Sequence, residues 1–246
     1  MHELALYGQI PSTRYEQVLN ILAGVAAMKP QTAYERHLIY KPLRNRDEGR
    51  VNKKFPNRPV KPQIVVHQHL VRELAEGDFG KESPAISAKA EGGGVESAPW
   101  ILRTQDVPEP ETKNLVLRGT TETVMSSESL QHYADSSMYS FVAEYITEGH
   151  RFIHKDVVIH LHRILRFPAQ AEPQSAPQNV LPPLDAFTLI DPSGAFVLEA
   201  AVRIDDRTKQ SLVSAASEEL MRFRDLMKGV VELKTPERLA LDTRVR

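Results

Sequence analysis

Two His-x-His pairs, His67-His69 and His160-His162, are the residues whose type and spacing come nearest to a reaction centre. Side chains alternate across an extended strand, so each pair would project two imidazoles to one side, which is half of a metal site. Further ligands would have to come from Glu144, His150 or His154. Nothing in the spacing forces these groups together. His160 also sits among apolar neighbours, where a hydrogen-bonded core or barrel-lining histidine is the commoner state. The 246-residue chain has no cysteine, which removes disulfides, thiol catalysis and cysteine zinc sites in one step. Gly92-Gly93-Gly94 follows no predicted strand and opens no predicted helix, so it is not a phosphate cradle, and no Gly-x-Ser-x-Gly elbow occurs. The sequence thus assigns no catalytic residue, no metal and no cofactor.

Composition restricts partners as well. Lys+Arg 31 against Asp+Glu 32 gives a formal net charge of −1, so no overall field draws the chain to nucleic acid or acidic lipid. The one local basic stretch carries Arg44, Arg46, Arg50, Lys53, Lys54 and Arg58, opposed only by Asp47 and Glu48. A solvated loop is the expected reading. Nucleic-acid contact is the sharper alternative, and Phe55 is the only stacking residue it would have. The opening Met-His-Glu lacks the features of a secretory leader, and the apolar patch 19–28 is too short to span a bilayer. An intracellular protein without membrane contact is expected.

The elements that must position these groups are mostly strands. The stretch 137–167 alternates first as Tyr139, Phe141, Ala143 and Tyr145 against Ser140, Val142, Glu144 and Ile146. It resumes with Val157, Ile159, Leu161, Leu165 and Phe167 against Val158, His160, His162, Ile164 and Arg166. This period of two predicts a long antiparallel pair, with Glu148-Gly149 as its turn. Shorter strands are predicted over 3–8, 33–43, 100–106 and 115–126, while 63–76 reads as a strand passing into a helix or turn. The pieces 185–190 and 195–204 are joined by Asp191-Pro192-Ser193-Gly194 as a hairpin. Two helices are predicted. One follows Pro11-Ser12-Thr13, which supplies its N-cap, and the other covers 209–228 and stops at Gly229. Segments 44–62, 77–99 and 168–183 are predicted to be flexible insertions, because they hold too little apolar surface to offset the entropy of ordering.

The motif GHRFIHKDVVIHLHRIL, from Gly149 to Leu165, resembles the central strand motif of the Mediator subunit 18 family. The opening stretch through Met28-Lys29-Pro30, the Trp100-led strand and the end LMKGVVELKTPERLALDTRVR are similar to fungal members. The resemblance implies an α+β fold: a single domain, 1–246, built as an antiparallel β-barrel of about eight to ten strands with flanking helices, related in architecture to the RNA triphosphatase tunnel. It implies a non-enzymatic, nuclear subunit of the Mediator head module, linking activators to RNA polymerase II. Its implied partners are Mediator subunit 20 as a heterodimer and a tethering helix of Mediator subunit 8, with no membrane and no direct nucleic-acid role.

Gly149, His150, Arg151, Phe152 and Arg163 carry the motif, and a structural role is expected for them: a glycine freeing the turn, Phe152 packed inward, and Arg163 needing a carboxylate partner or water. Tunnel triphosphatases hold a metal with Glu-x-Glu pairs. Here Glu3 is followed two positions on by Ala5, and Glu199 stands alone in its strand. A metal-dependent phosphohydrolase is therefore the rival reading that the carboxylate pattern disfavours.

Overall fold

The structure is a computed structural model and describes residues 1–43, 65–82, 98–110, 114–134, 138–168 and 174–245. Among these residues, nine strands form one antiparallel sheet: β1 (His2–Ile10), β2 (Gln31–Pro42), β3 (Gln68–Leu74), β4 (Ile101–Gln105), β5 (Val116–Val124), β6 (Tyr139–His154), β7 (Val157–Arg166), β8 (Thr188–Leu189) and β9 (Phe196–Ile204). The spatial order is β6-β2-β3-β4-β5-β1-β9-β7-β8, and β6 also pairs with β7. That last pairing closes an eight-stranded barrel and leaves β8 as a short addition beside the end of β7. Closure removes the open edges that a run of antiparallel strands would otherwise present.

Among the described residues, three α-helices accompany the barrel: α1 (Tyr15–Ala26), α2 (Ser127–Ala134) and α3 (Gln210–Leu226). The outward residues Leu4, Leu6 and Ile10 of β1, Ile159 and Leu161 of β7, and Leu198, Ala200 and Val202 of β9 are buried against Val18 and Leu22 of α1 and Leu220 and Phe223 of α3. Each large side chain buried this way contributes roughly 1.5–3 kcal/mol, so this wall dominates the stability of the fold. A smaller cluster on the far side joins Leu38, Tyr40, Leu70, Trp100 and Tyr133.

Several local expectations are corrected. The turn of the long pair is Lys155-Asp156, with Lys155 in the left-handed region at φ 52°, and His154 pairs with Val157 across it. Gly149 lies inside β6 opposite His162, where a Cβ would stand 2.0 Å from the Leu161 carbonyl oxygen. Its glycine therefore permits a close strand crossing, not a turn. The alternation of 139–146 is interrupted because β6 slips by one residue against β2 between Ile39 and Tyr40. Phe141 then faces the same way as Glu144 and Ile146, beside Tyr40, while Tyr145 faces the other way and stacks on His37.

The turn Asp191-Pro192-Ser193-Gly194 forms, with Gly194 at φ 67°, yet its flanking strands do not pair with each other. β8 pairs with β7, and β9 pairs with β1 and β7. Ser12 makes no cap; its hydroxyl donates to the Ser193 carbonyl at 3.3 Å. The segment 63–76 carries strand β3, followed by a single 3-10 turn, Glu76–Asp78. Helix α2 is an addition to the two helices expected. Its eight residues include one buried apolar side chain, Tyr133, too weak a pattern to read locally.

The basic stretch and most of the insertions expected at 44–62 and 77–99 lie outside the described residues. Within 168–183, Leu181 is fully buried with Phe167 and Phe187, and Arg36 donates to the Gln178 carbonyl at 2.6 Å. Gln178 and Leu181 are thus fastened to the outer wall by contacts their proline-rich surroundings hide, while Asn179 and Val180 between them are exposed.

Candidate functional site: the barrel interior

A strand closed into a barrel sends alternate residues to the inside. In β1 these are Glu3, Ala5 and Tyr7. Register places Arg118 and Val116 of β5 beside Glu3 and Ala5, and Arg203, Ala201 and Glu199 of β9 beside Glu3, Ala5 and Tyr7. The same alternation puts His160 and His162 of β7, Arg151 of β6, Glu35 and His37 of β2, His69 of β3, Arg103 of β4 and Glu122 of β5 on the inner wall.

These groups form one connected chain. Arg151 donates to Glu35 at 3.2 Å, and Arg103 lies 3.8 Å from Glu35 and 2.8 Å from Glu122. Arg203 donates twice to Glu122, both at 3.0 Å, and reaches Glu3 at 3.4 Å. Arg118 donates to Glu3 at 2.7 and 3.0 Å and to the Tyr7 hydroxyl at 3.1 Å, and Tyr7 donates to Glu199 at 2.9 Å. The carboxylates Glu3, Glu35, Glu122 and Glu199 thus balance the guanidiniums Arg103, Arg118, Arg151 and Arg203. A buried ion without a partner costs several kcal/mol, so a fully cross-paired set is the arrangement that lets charge line a protein interior.

Titration follows from this packing. Burial opposes ionisation of Glu35, but the hydrogen bond from His37 and the charge of Arg103 outweigh it and hold its carboxyl at about 2. Burial pushes His69 down to about 4, helped by the nearby histidines and Arg103. Burial and the adjacent Arg151 do the same to His160, whose Nε2 accepts from Arg151 Nε at 3.0 Å. His37 is lowered by burial despite its contact with Glu35. His37, His69 and His160 are therefore neutral at pH 7. Burial also raises Tyr145 to about 12.

The sequence-predicted residues are only partly brought together. His69, His160 and His162 reach the interior, but His67 precedes β3 and faces the Thr243 carbonyl at 3.2 Å. Glu144 is on the outer wall, paired with Arg36 at 2.8 Å and fully buried. His150 meets the Tyr15 hydroxyl at 2.9 Å, and His154 meets the Val25 carbonyl at 3.0 Å. Among the described residues, no group of three or more His, Cys, Asp or Glu side chains converges as a metal site. Of the motif, Phe152 is fully buried under the helices, Arg151 is interior, and Arg163 finds its carboxylate in Glu148 while its guanidinium covers the Phe196 ring at 4.9 Å.

Local reading missed Glu35, Arg103, Arg118, Glu122 and Arg203. Their signal was present as single charges at alternate positions within otherwise strand-like stretches.

Residues 2–244 match the family described as Med18 protein. The chain belongs to the Mediator subunit 18 family. Among curated relatives, Mediator of RNA polymerase II transcription subunit 18 of Neosartorya fischeri is 34% identical over 279 aligned positions, covering all of both chains. That of Aspergillus fumigatus is 33% identical, and that of Yarrowia lipolytica 22%, again with full coverage of both. The structure of the Schizosaccharomyces pombe Mediator head module contains a chain of like fold, with a TM-score of 0.69, 20% identity and full coverage of both chains. The barrel expected of a Mediator subunit 18 family member is the barrel observed.

Proposed function

We propose that this chain is a non-enzymatic, nuclear structural subunit of the Mediator head module, acting as one domain between activators and RNA polymerase II. It pairs with Mediator subunit 20 and is tethered by a helix of Mediator subunit 8. The motif residues Gly149, His150, Arg151, Phe152 and Arg163 serve the barrel and not a reaction. The observation that carries this reading is the self-neutralised interior, in which each carboxylate that could hold a cation is engaged by an arginine. Family membership and the full-length match to curated subunit 18 proteins support it.

Size-exclusion chromatography with subunit 20 and the C-terminal part of subunit 8 from the same organism tests the assignment. The three should co-elute at micromolar concentration. Separate elution with this chain folded would overturn it. Steady phosphate release from a nucleoside triphosphate with manganese, lost on changing His160 and His162, would favour the phosphohydrolase instead.

A further inference from the structure

The C-terminal segment after Leu233 behaves differently from the chain before it. Met227, Val231 and Leu233 are buried in the main core, but beyond them Leu239 is 55% exposed and residues 237–240 all face water. The segment nevertheless crosses one mouth of the barrel and fills gaps in the sheet. β5 pairs with β1 only through Ala5, and just past that point Tyr7 exchanges two backbone hydrogen bonds of 2.9 Å with Lys234. Farther on, His67 N–H donates to the Thr243 carbonyl and Val245 N–H to the Val65 carbonyl, both at 2.8 Å, while the Thr243 hydroxyl donates to the Gln105 carbonyl at 2.7 Å. Between these ends Leu241 packs on Ala5, Val116 and Ala201 of the inner wall.

That floor is specific. Ala5 and Ala201 stand directly opposite each other, each two positions along its strand from an inner carboxylate, Glu3 and Glu199. They interrupt the charged lining with a small apolar patch, and the space above two methyl groups is what a leucine side chain needs. Exposed backbone edges flanking an apolar socket are the elements of a strand-acceptor groove.

We propose that this mouth is a strand-acceptor groove, occupied in the free protein by the chain's own segment 236–245, which can leave it without the barrel unfolding. The hold consists of one partly buried leucine anchor, a few isolated backbone bonds, and single side-chain bonds from Thr243 to the Gln105 carbonyl and from Arg238 to the Pro108 carbonyl at 2.5 Å, with no continuous strand ladder, which belongs to the low-stability end of a native structure. The attachment to the fixed residue Leu233 keeps the segment in place by high local concentration. The inference is independent of the Mediator assignment.

Amide exchange on the full-length chain, read residue by residue, tests it. In Leu241→Asp the His67 amide should exchange at least ten-fold faster than in the parent, with the β1–β9 amides unchanged, and Leu241→Ala should give the same pattern with a smaller increase. Adding the peptide PERLALDTRV in excess to the Leu241→Asp chain should restore His67 protection, and a scrambled peptide should not. Equal acceleration throughout β1 and β9 in both variants would make the segment an integral part of the fold and overturn the proposal. So would an unmoved His67 amide, or failure of the peptide to restore protection.

Discussion

The two faces of β1 set the stability logic of the molecule side by side. Leu4 and Leu6 point outward into a dry core shared with α1 and α3, while Glu3 and Tyr7 point inward to Arg118, Arg203 and Glu199. Both faces are closed to water, and Glu3 is only 2% exposed. The outer face is held by shape and area, so a deletion there leaves a cavity. The inner face is held by pairing, so deletion of one group leaves a charge stranded. Apolar packing tolerates partial loss; a buried ion network does not.

The largest effect should come from breaking the inner pairing. Arg118→Met removes the nearer of the two arginines on Glu3, leaving only the longer Arg203 contact at 3.4 Å, and should cost about 3–5 kcal/mol in urea unfolding. Adding Glu3→Gln should recover a good part of that loss, because the stranded charge disappears with it. An unchanged stability in the single variant would remove the distinction between the faces. Phe152→Ala on the outer face should cost a similar ~3–5 kcal/mol, but with no second-site charge change able to rescue it. Next comes Gly149→Ala, whose methyl would press on the Leu161 carbonyl and the His162 Cα at 2.6 Å. Overpacking of this kind should cost about 1–3 kcal/mol in thermal or urea unfolding, whereas a glycine serving only a turn would tolerate alanine.

Acid should act on the inner face and, on the outer face, on His150, which burial lowers. His69 and His160 have folded values near 4, below the ordinary 6.5, so the unfolded chain binds more protons between those limits. Their contribution is complete above pH 6.5 and is lost as pH falls toward 4, about 2–3 kcal/mol for each at most. Glu35 then extends the loss from the ordinary carboxylate range down toward pH 2. Midpoint temperatures at pH 7, 5.5 and 4 should fall in that order, and replacing both histidines by glutamine should flatten the upper part of the curve. The smallest effect belongs to neither face: Arg222→Ala on the exposed side of α3, which breaks the surface pairs with Glu218 and Glu219, should leave the midpoint unchanged within error.

The sequence by itself determined what depends on near neighbours. Helices α1 and α3 were legible because their apolar residues recur at helical spacing, most strands because theirs alternate, and the Asp191–Gly194 turn because its residues set their own backbone. The family motif added the closed barrel, and the topology bears it out. Tertiary structure decided everything that needed a partner from far along the chain. Gly149 reads as a turn until His162 is laid beside it, and the one-residue slip near Tyr40, which reverses the phase of β6, exists only in the pairing with β2. Leu181 looks exposed in a proline-rich stretch because its cover, Phe167 and Phe187, is not local. The inner network is the extreme case. Glu3 is joined to Arg118 across 115 positions and to Arg203 across 200, and a charge in a strand carries no mark of which distant charge will face it. Local backbone preferences are written residue by residue, whereas electrostatic pairing in a barrel is fixed only when register and closure bring the strands together.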